Sequence, residues 1–242
     1  MSQALVEATV GQLVVERPSR ARVFEKFGID YCCGGKKPLR QAIAEKGLQT
    51  DQVVAALDSE TADGAHLLSK ERDWSTASLT DLCDHIERVH HGYLKDELPR
   101  LAFLTNKVAN RHGENHPELV EIHRIFLGFE TELVTHMAKE ERVLFPILRQ
   151  LDTADLLPPA HCGSVNNPIA VMLQEHDDAG ADLARFRELT NDYTPPLDAC
   201  TTYRAMLDAL RQLEQDMHQH VHKENNILFP KAQRMEKLLS RG

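Results

Sequence analysis

Aromatic side chains make up only 5% of the 242 residues, with a single tryptophan, so the chain has few platforms on which bases could stack. Basic residues are also outnumbered, 28 Lys and Arg against 37 Asp and Glu, and the formal net charge of -9 leaves no broad positive surface for phosphates. Nucleic acid is therefore not an expected partner. Nowhere do 18 apolar residues follow one another, and the start, Met1 to Arg20, has no basic stretch before an apolar run. Neither a membrane span nor a signal peptide is expected. Five cysteines, an odd number with Cys32 and Cys33 adjacent, do not form the disulfide framework of a small secreted domain. A reducing cytoplasm is the compartment that fits.

What the chain has in excess is histidine, 13 in all, the side chain that both titrates near neutrality and ligates metals. The length accommodates a bundle plus a smaller appendage. In the first sixty or so residues, short helical patterns fall at about 3 to 16, 19 to 27, 38 to 46 and 51 to 59, punctuated by Pro18, Gly34-Gly35, Pro38 and Gly47. We read residues 1-60 as a small helical domain and the polar stretch 61-76 as a linker. Residues 77-242 then hold long helical patterns at about 79 to 111, 117 to 150, 168 to 190 and 200 to 239, with no competing period-two segment. Apolar stripes run through Ile122, Ile125, Phe129 and Leu133, through Ile169, Met172, Leu173 and Leu183, and through Tyr203, Leu207, Leu210, Leu213 and Met217. The expected fold is all-α, an up-down four-helix bundle preceded by the small helical domain.

The bundle repeats itself. His136 to Pro146 and His220 to Pro230 share the pattern H-x-x-K-E-x-x-[VI]-L-F-P, 84 positions apart. Within each copy a histidine and a glutamate stand four apart, His136 with Glu140 and His220 with Glu224, so each pair projects from one helical face. That face continues the apolar stripe, through Phe129, Leu133, Val143 and Leu144 in one case and Leu213, Met217, Ile227 and Leu228 in the other. His176 continues the stripe of the third helix. Unpartnered carboxylates and imidazoles at such positions would cost several kcal/mol, comparable with the whole stability of a domain. A bound cation resolves the conflict. The first helix offers His90 and His91, between which periodicity is split: Leu82, Ile86 and Tyr93 favour His90, Leu94 and Leu98 favour His91. The spacing of the repeat selects His91, because His91 to His136 and His176 to His220 span 45 and 44 positions. The candidate metal ligands are His91, His136, Glu140, His176, His220 and Glu224. With both carboxylates bridging, each of two ions has four protein ligands and open positions for an oxo or hydroxo bridge, water or a small gas. Nitrogen and oxygen ligation without thiolate suits two iron ions best, then manganese or zinc. The other histidines, His66, His85, His112, His116, His123, His161, His218 and His222, are read as structural.

With Asp30-Tyr-Cys-Cys-Gly-Gly35, His136 to Glu141, Glu175 to Gly180 and His220 to Pro230 in view, the chain resembles, over nearly its full length, the iron-sulfur cluster repair di-iron proteins. Its C-terminal part resembles a hemerythrin-type cation-binding domain. The family places its di-iron ligands one, two, one and two on successive helices, which carries over to the same six residues. The sequence departs from hemerythrin oxygen carriers in having Gly180, not histidine, four after His176. The resemblance implies a cytoplasmic protein that repairs clusters damaged by nitrosative or oxidative stress, with damaged iron-sulfur proteins as partners. Iron donation and nitric oxide binding or reduction both stay open, as does a gas-sensing or storage module with nitric oxide or dioxygen as ligand. A nitric oxide reductase would need an outside electron donor, since no flavin fingerprint or rubredoxin-like cysteine set is present.

Cys32 and Cys33 are candidate reactive thiols, flanked by Gly34-Gly35 and by Lys36-Lys37, which favour thiolate. Adjacent cysteines bridge each other only with strain, so a resolving partner would come from elsewhere. The alternative is packing in a turn, the role expected for Cys83, Cys162 and Cys200, with a homodimer contact as another use of the small domain.

Overall fold

The computed structural model describes residues 2–63, 73–156 and 163–240, the side chains of 2–3 and 59–63 excepted. His66, His161 and Cys162, and most of the expected linker, lie outside the described residues. Among those described the protein is helical without a named strand, and no helix is long and apolar enough to cross a membrane.

The N-terminal part contains α1 (Ser2–Glu7), α2 (Val10–Glu16), α3 (Arg20–Phe27), α4 (Leu39–Glu45) and α5 (Thr50–Asp63), with a 3-10 turn at Cys33–Lys36. The single helix expected over 3 to 16 is broken at Ala8-Thr9. Thr9 starts α2 with a reciprocal cap: its hydroxyl accepts from Gln12 N, and Gln12 Oε1 accepts from Thr9 N. Its neighbours bond to the segment before α4, through Val10 N to Lys37 O and Leu39 N to Ala8 O. Gly28 closes α3 with φ of 63°, a left-handed cap that suits glycine. Val10, Leu13, Phe24, Tyr31, Leu39, Ile43, Val53 and Leu57 form this part's own apolar core. Helix α5 continues to Asp63, into the segment expected to be linker, and a 3-10 turn at Trp74–Thr76 precedes the bundle.

In the bundle, α6 (Leu79–His85) and α7 (Gly92–His112) make the first long helix, and α8 (Glu118–Lys139) and α9 (Phe145–Thr153) the second. The third is α10 (Asn166–Leu189), and the fourth is α11 (Thr201–Lys223) with α12 (Phe229–Leu239). Ser78 caps α6, its hydroxyl accepting from Asp81 N. Helix α7 packs on α8 and α11, α8 on α10, and α9 on α6 and α12, closing the up-down ring. The stripe residues Ile122, Phe129, Leu133, Ile169, Met172, Leu183, Leu210, Leu213 and Met217 are buried. They divide into two apolar clusters, one towards the α7–α8 connection and one around α6, α9 and α12.

Three of the four long helices are interrupted by a π-helical turn, at Ile86–His91, Glu140–Leu144 and Glu224–Leu228. In the last two, the N–H of Phe145 or Phe229 bonds to the carbonyl five residues back, that of Glu140 or Glu224. Proline follows at once in both, Pro146 and Pro230, which lacks an N–H and would crowd the carbonyl four residues earlier. The widened turn shifts the phase of the helix. Val143, expected on the buried face, is therefore 50% exposed while Leu144 is buried.

Candidate metal centre

Glu140 and Glu224 sit at the first position of their π turns, and His91 at the last position of the first one. The wide turns thus lie at one level of the bundle, between its two apolar clusters. His91, His136, Glu140, His176, His220 and Glu224 converge there, each with at most 4% exposure. Their ligand atoms form two overlapping groups, His91-Glu140-His220-Glu224 and His136-Glu140-His176-Glu224, each lying within 4.8 Å. Both carboxylates belong to both groups. His91 Nε2 lies 3.3 Å and His136 Nε2 3.5 Å from Glu140 Oε2, while His176 Nε2 and His220 Nε2 lie 3.1 Å from Glu224 Oε2 and Oε1.

Of these four contacts, that between His220 Nε2 and Glu224 Oε1 is a hydrogen bond, while the other three are close but not aligned as hydrogen bonds. Both oxygens of Glu140, Oε2 of Glu224 and Nε2 of His91 have no hydrogen-bond partner among the described residues, and all are buried. Nε2 of His136 and Nε2 of His176 face each other at 3.2 Å. The unpartnered atoms aim at common points, and buried carboxylate oxygens left so would be costly. Their donor set, two imidazoles and two carboxylates per group, fits a divalent cation in each. The electrostatics agree: burial alone would lower His176, yet Glu224 and Glu140 raise it to about 9. Against its own burial, Glu224 is held well below the ordinary carboxylate range by His220 and His176. The centre demands positive charge.

Outside the cluster, His91 Nδ1 lies 2.8 Å from Glu141 Oε1, itself 2.6 Å from Lys95 Nζ. His136 Nδ1 lies 2.8 Å from Glu175 Oε2, and Lys139 bonds the other oxygen. His176 Nδ1 lies 2.8 Å from Asn225 Oδ1. An acceptor on Nδ1 fixes the tautomer that leaves the Nε2 lone pair for a metal. Glu141, Glu175 and Asn225 are each next in sequence to a candidate ligand, but no periodic pattern marks them as its partners. His90 does not enter the cluster. Its Nδ1 lies 2.9 Å from Asp216 Oδ1 and its Nε2 2.9 Å from Lys223 Nζ, and burial lowers it to about 3.

The cysteine turn is not set apart from the bundle. Cys32 is buried in a bundle cluster, and the Cys33 thiol donates to the carbonyl of His176 at 3.4 Å. Cys32 donates through N, at 2.9 Å, and Sγ, at 3.1 Å, to Asp30 Oδ1. The neighbouring Cys33 thiol and burial push Cys32 well above its ordinary value. The surroundings of Cys32 do not favour thiolate: Lys37 pairs with Glu45, and Asp30 adds negative charge beside the sulfur. Asn226, in the last π turn, clamps the same segment through Tyr31 O and Cys32 O, and its Oδ1 leaves no room for a Cβ at Gly35. His222, read as structural, is buried against Tyr31 O and lowered to about 4. Cys83 packs in the core as expected, but Cys200 is exposed at the start of α11, 3.2 Å from His112 Nε2.

Comparison with known proteins follows the same division. Residues 6–61 match the ScdA_N domain, a domain of unknown function, and residues 82–232 match the hemerythrin HHE cation binding domain. An iron-sulfur cluster repair protein YtfE of Enterobacter sp. (strain 638) is 35% identical over 231 residues, 95% of this chain and 98% of its own. Those of Citrobacter koseri and Escherichia coli O81 (strain ED1a) are each 36% identical, over 92% of this chain and 95% of theirs. With a buried histidine and carboxylate cluster in a four-helix bundle and full-length similarity of this extent, the chain belongs to the YtfE family of iron-sulfur cluster repair proteins, which join an ScdA_N domain to a hemerythrin-type cation-binding domain.

Proposed function

We propose that the protein holds two iron ions between His91, His136, Glu140, His176, His220 and Glu224, and supplies iron to damaged iron-sulfur clusters in the cytoplasm. The observation that carries this reading is the sharing of Glu140 and Glu224 by two overlapping ligand groups, which builds a paired site. The relatives' printed role in cluster repair gives the pair its use. Neutral imidazoles and carboxylates hold ferrous iron without thiolate, so protonation or ligand exchange can release it as cargo. The bundle excludes water from the centre, while Glu141, Glu175 and Asn225 orient three of the four imidazoles. Residues 1-60 act as a helical domain that brings the cysteine turn onto α10.

Iron-loaded protein mixed with an inactivated iron-sulfur enzyme restores its activity, in proportion to iron lost from the donor. Equal restoration by metal-free protein would refute donation. A second reading, nitric oxide chemistry at the same centre, is supported by the position of Cys33 against His176, where a thiol can exchange a nitrosyl group. Optical titration with nitric oxide separates the two: a reductase turns over with an added electron donor, and an iron donor does not.

A further inference from the structure

The two halves of the centre are related by the internal repeat, but their outer partners differ. His91 and His176 hold equivalent positions, as do His136 and His220. The residues directly after the shared glutamates, Glu141 and Asn225, each accept from the Nδ1 of an equivalent histidine, His91 and His176. The residues directly before His91 and His176 are His90 and Glu175. Here the equivalence fails. Glu175 accepts from Nδ1 of His136, whereas His90 presents a ring face to His220, the two planes 2° apart with centroids at 5.2 Å. Lys223 donates to His90 Nε2, which fixes the proton of His90 on Nδ1, where Asp216 Oδ1 accepts it. His90 thus has no acceptor to offer. Nδ1 of His220, fully buried, has no hydrogen-bond partner among the described residues.

We infer that the two metal positions are unequal by construction: the ion between His91 and His220 is the exchangeable one, and the ion between His136 and His176 is retained. This rests on the di-metal reading above. An imidazole whose Nδ1–H is held by an acceptor is better oriented and more basic at Nε2, and loss of such a partner lowers metal affinity roughly 10- to 100-fold. Both ligands of the His136–His176 position have one, and only His91 does at the other. The shared carboxylates contribute to both positions, so the difference lies in the imidazoles. A protein that delivers one ion and keeps the second would keep its centre assembled between deliveries.

The test uses the full chain loaded with two ferrous ions, mixed with excess ferrous chelator without oxygen. One equivalent leaves at least roughly ten times faster than the other. Anomalous diffraction at the iron edge, from crystals of half-depleted protein, finds the remaining ion between His136 and His176. His90→Gln, which gives His220 an amide acceptor, slows the fast phase, and Glu175→Gln speeds the slow one. Release of both ions at one rate, or a remaining ion at His91–His220 or shared equally, overturns the inference and leaves the paired site standing. A chain that never holds two ions overturns the di-metal reading itself, and the metal count shows it before any chelator is added.

Discussion

At the scale of single residues, Glu140 and Glu224 differ from the four histidines because each serves both ligand groups. Removing one imidazole strips a ligand from one ion, but removing one carboxylate strips both. Glu140→Ala and Glu224→Ala are therefore expected to fall below one metal per chain, and His220→Ala to keep about one, as counted by elemental analysis. Two metals retained in either glutamate variant would rule out bridging. The glutamates, His136 and His220 were legible because polar groups interrupted apolar stripes at four-residue spacing, and His176 because it continued the stripe of the third helix, both local patterns. His91 was legible only through the repeat, since periodicity was divided between it and His90. The outer partners were not legible. Glu141 and Glu175 look like solvated charges in sequence, and their use depends on which helix lies opposite.

At the scale of elements, the long helices and their stripes followed from 3.6-residue periodicity, but the π turns did not. An inserted residue shifts phase without changing composition, and only Pro146 and Pro230 hinted at it. The last π turn also carries Asn226, which holds the cysteine turn through Tyr31 O at 3.3 Å and Cys32 O at 3.2 Å. Asn226→Ala loses both bonds, worth about 0.5–1.5 kcal/mol each. Amide exchange over Asp30 to Lys36 is expected to rise while the metal count stays the same. At the far end of the bundle, His116 joins the start of α8 to the loop before α11 through Asp198 at 3.1 Å and Glu118 at 3.0 Å. The hydrogen bonds that His116 donates to Asp198 and Glu118 raise its pKa. A raised folded value means that this tie is fully present below about 6.5, the unfolded value, and is lost as pH rises through the folded one. An NMR titration of His116 is expected to give a midpoint above 6.5 that His116 loses on Asp198→Asn. An unchanged midpoint in that variant would show the contact to be incidental.

At the scale of the molecule, the small helical domain that carries Cys32 and Cys33 was expected to be set off from the bundle by a linker. The structure joins them, because Cys32 enters a bundle cluster and Cys33 bonds the backbone of a candidate ligand. Sequence pattern could not show this: the contact spans 143 positions and leaves no periodic trace. The joint separates two roles for the thiols. Cys32 is a buried thiol held by Asp30, so a change there disturbs packing as well as chemistry. Cys33 is only partly buried, donates one weak bond to the carbonyl of His176, and supplies no atom to the two histidine–glutamate groups. Cys33→Ser keeps a donor for that carbonyl and removes the sulfur, so the bundle, its helix content and two metals per chain are expected to survive. A thiol that takes part in passing iron or a nitrosyl group to a client makes transfer to a damaged cluster slower in Cys33→Ser at matched iron content, while chelator release stays as in the native chain. If transfer and release are both unchanged, Cys33 is a packing residue. If release changes as well, the serine has disturbed His176, and the effect belongs to the metal centre and not to the thiol.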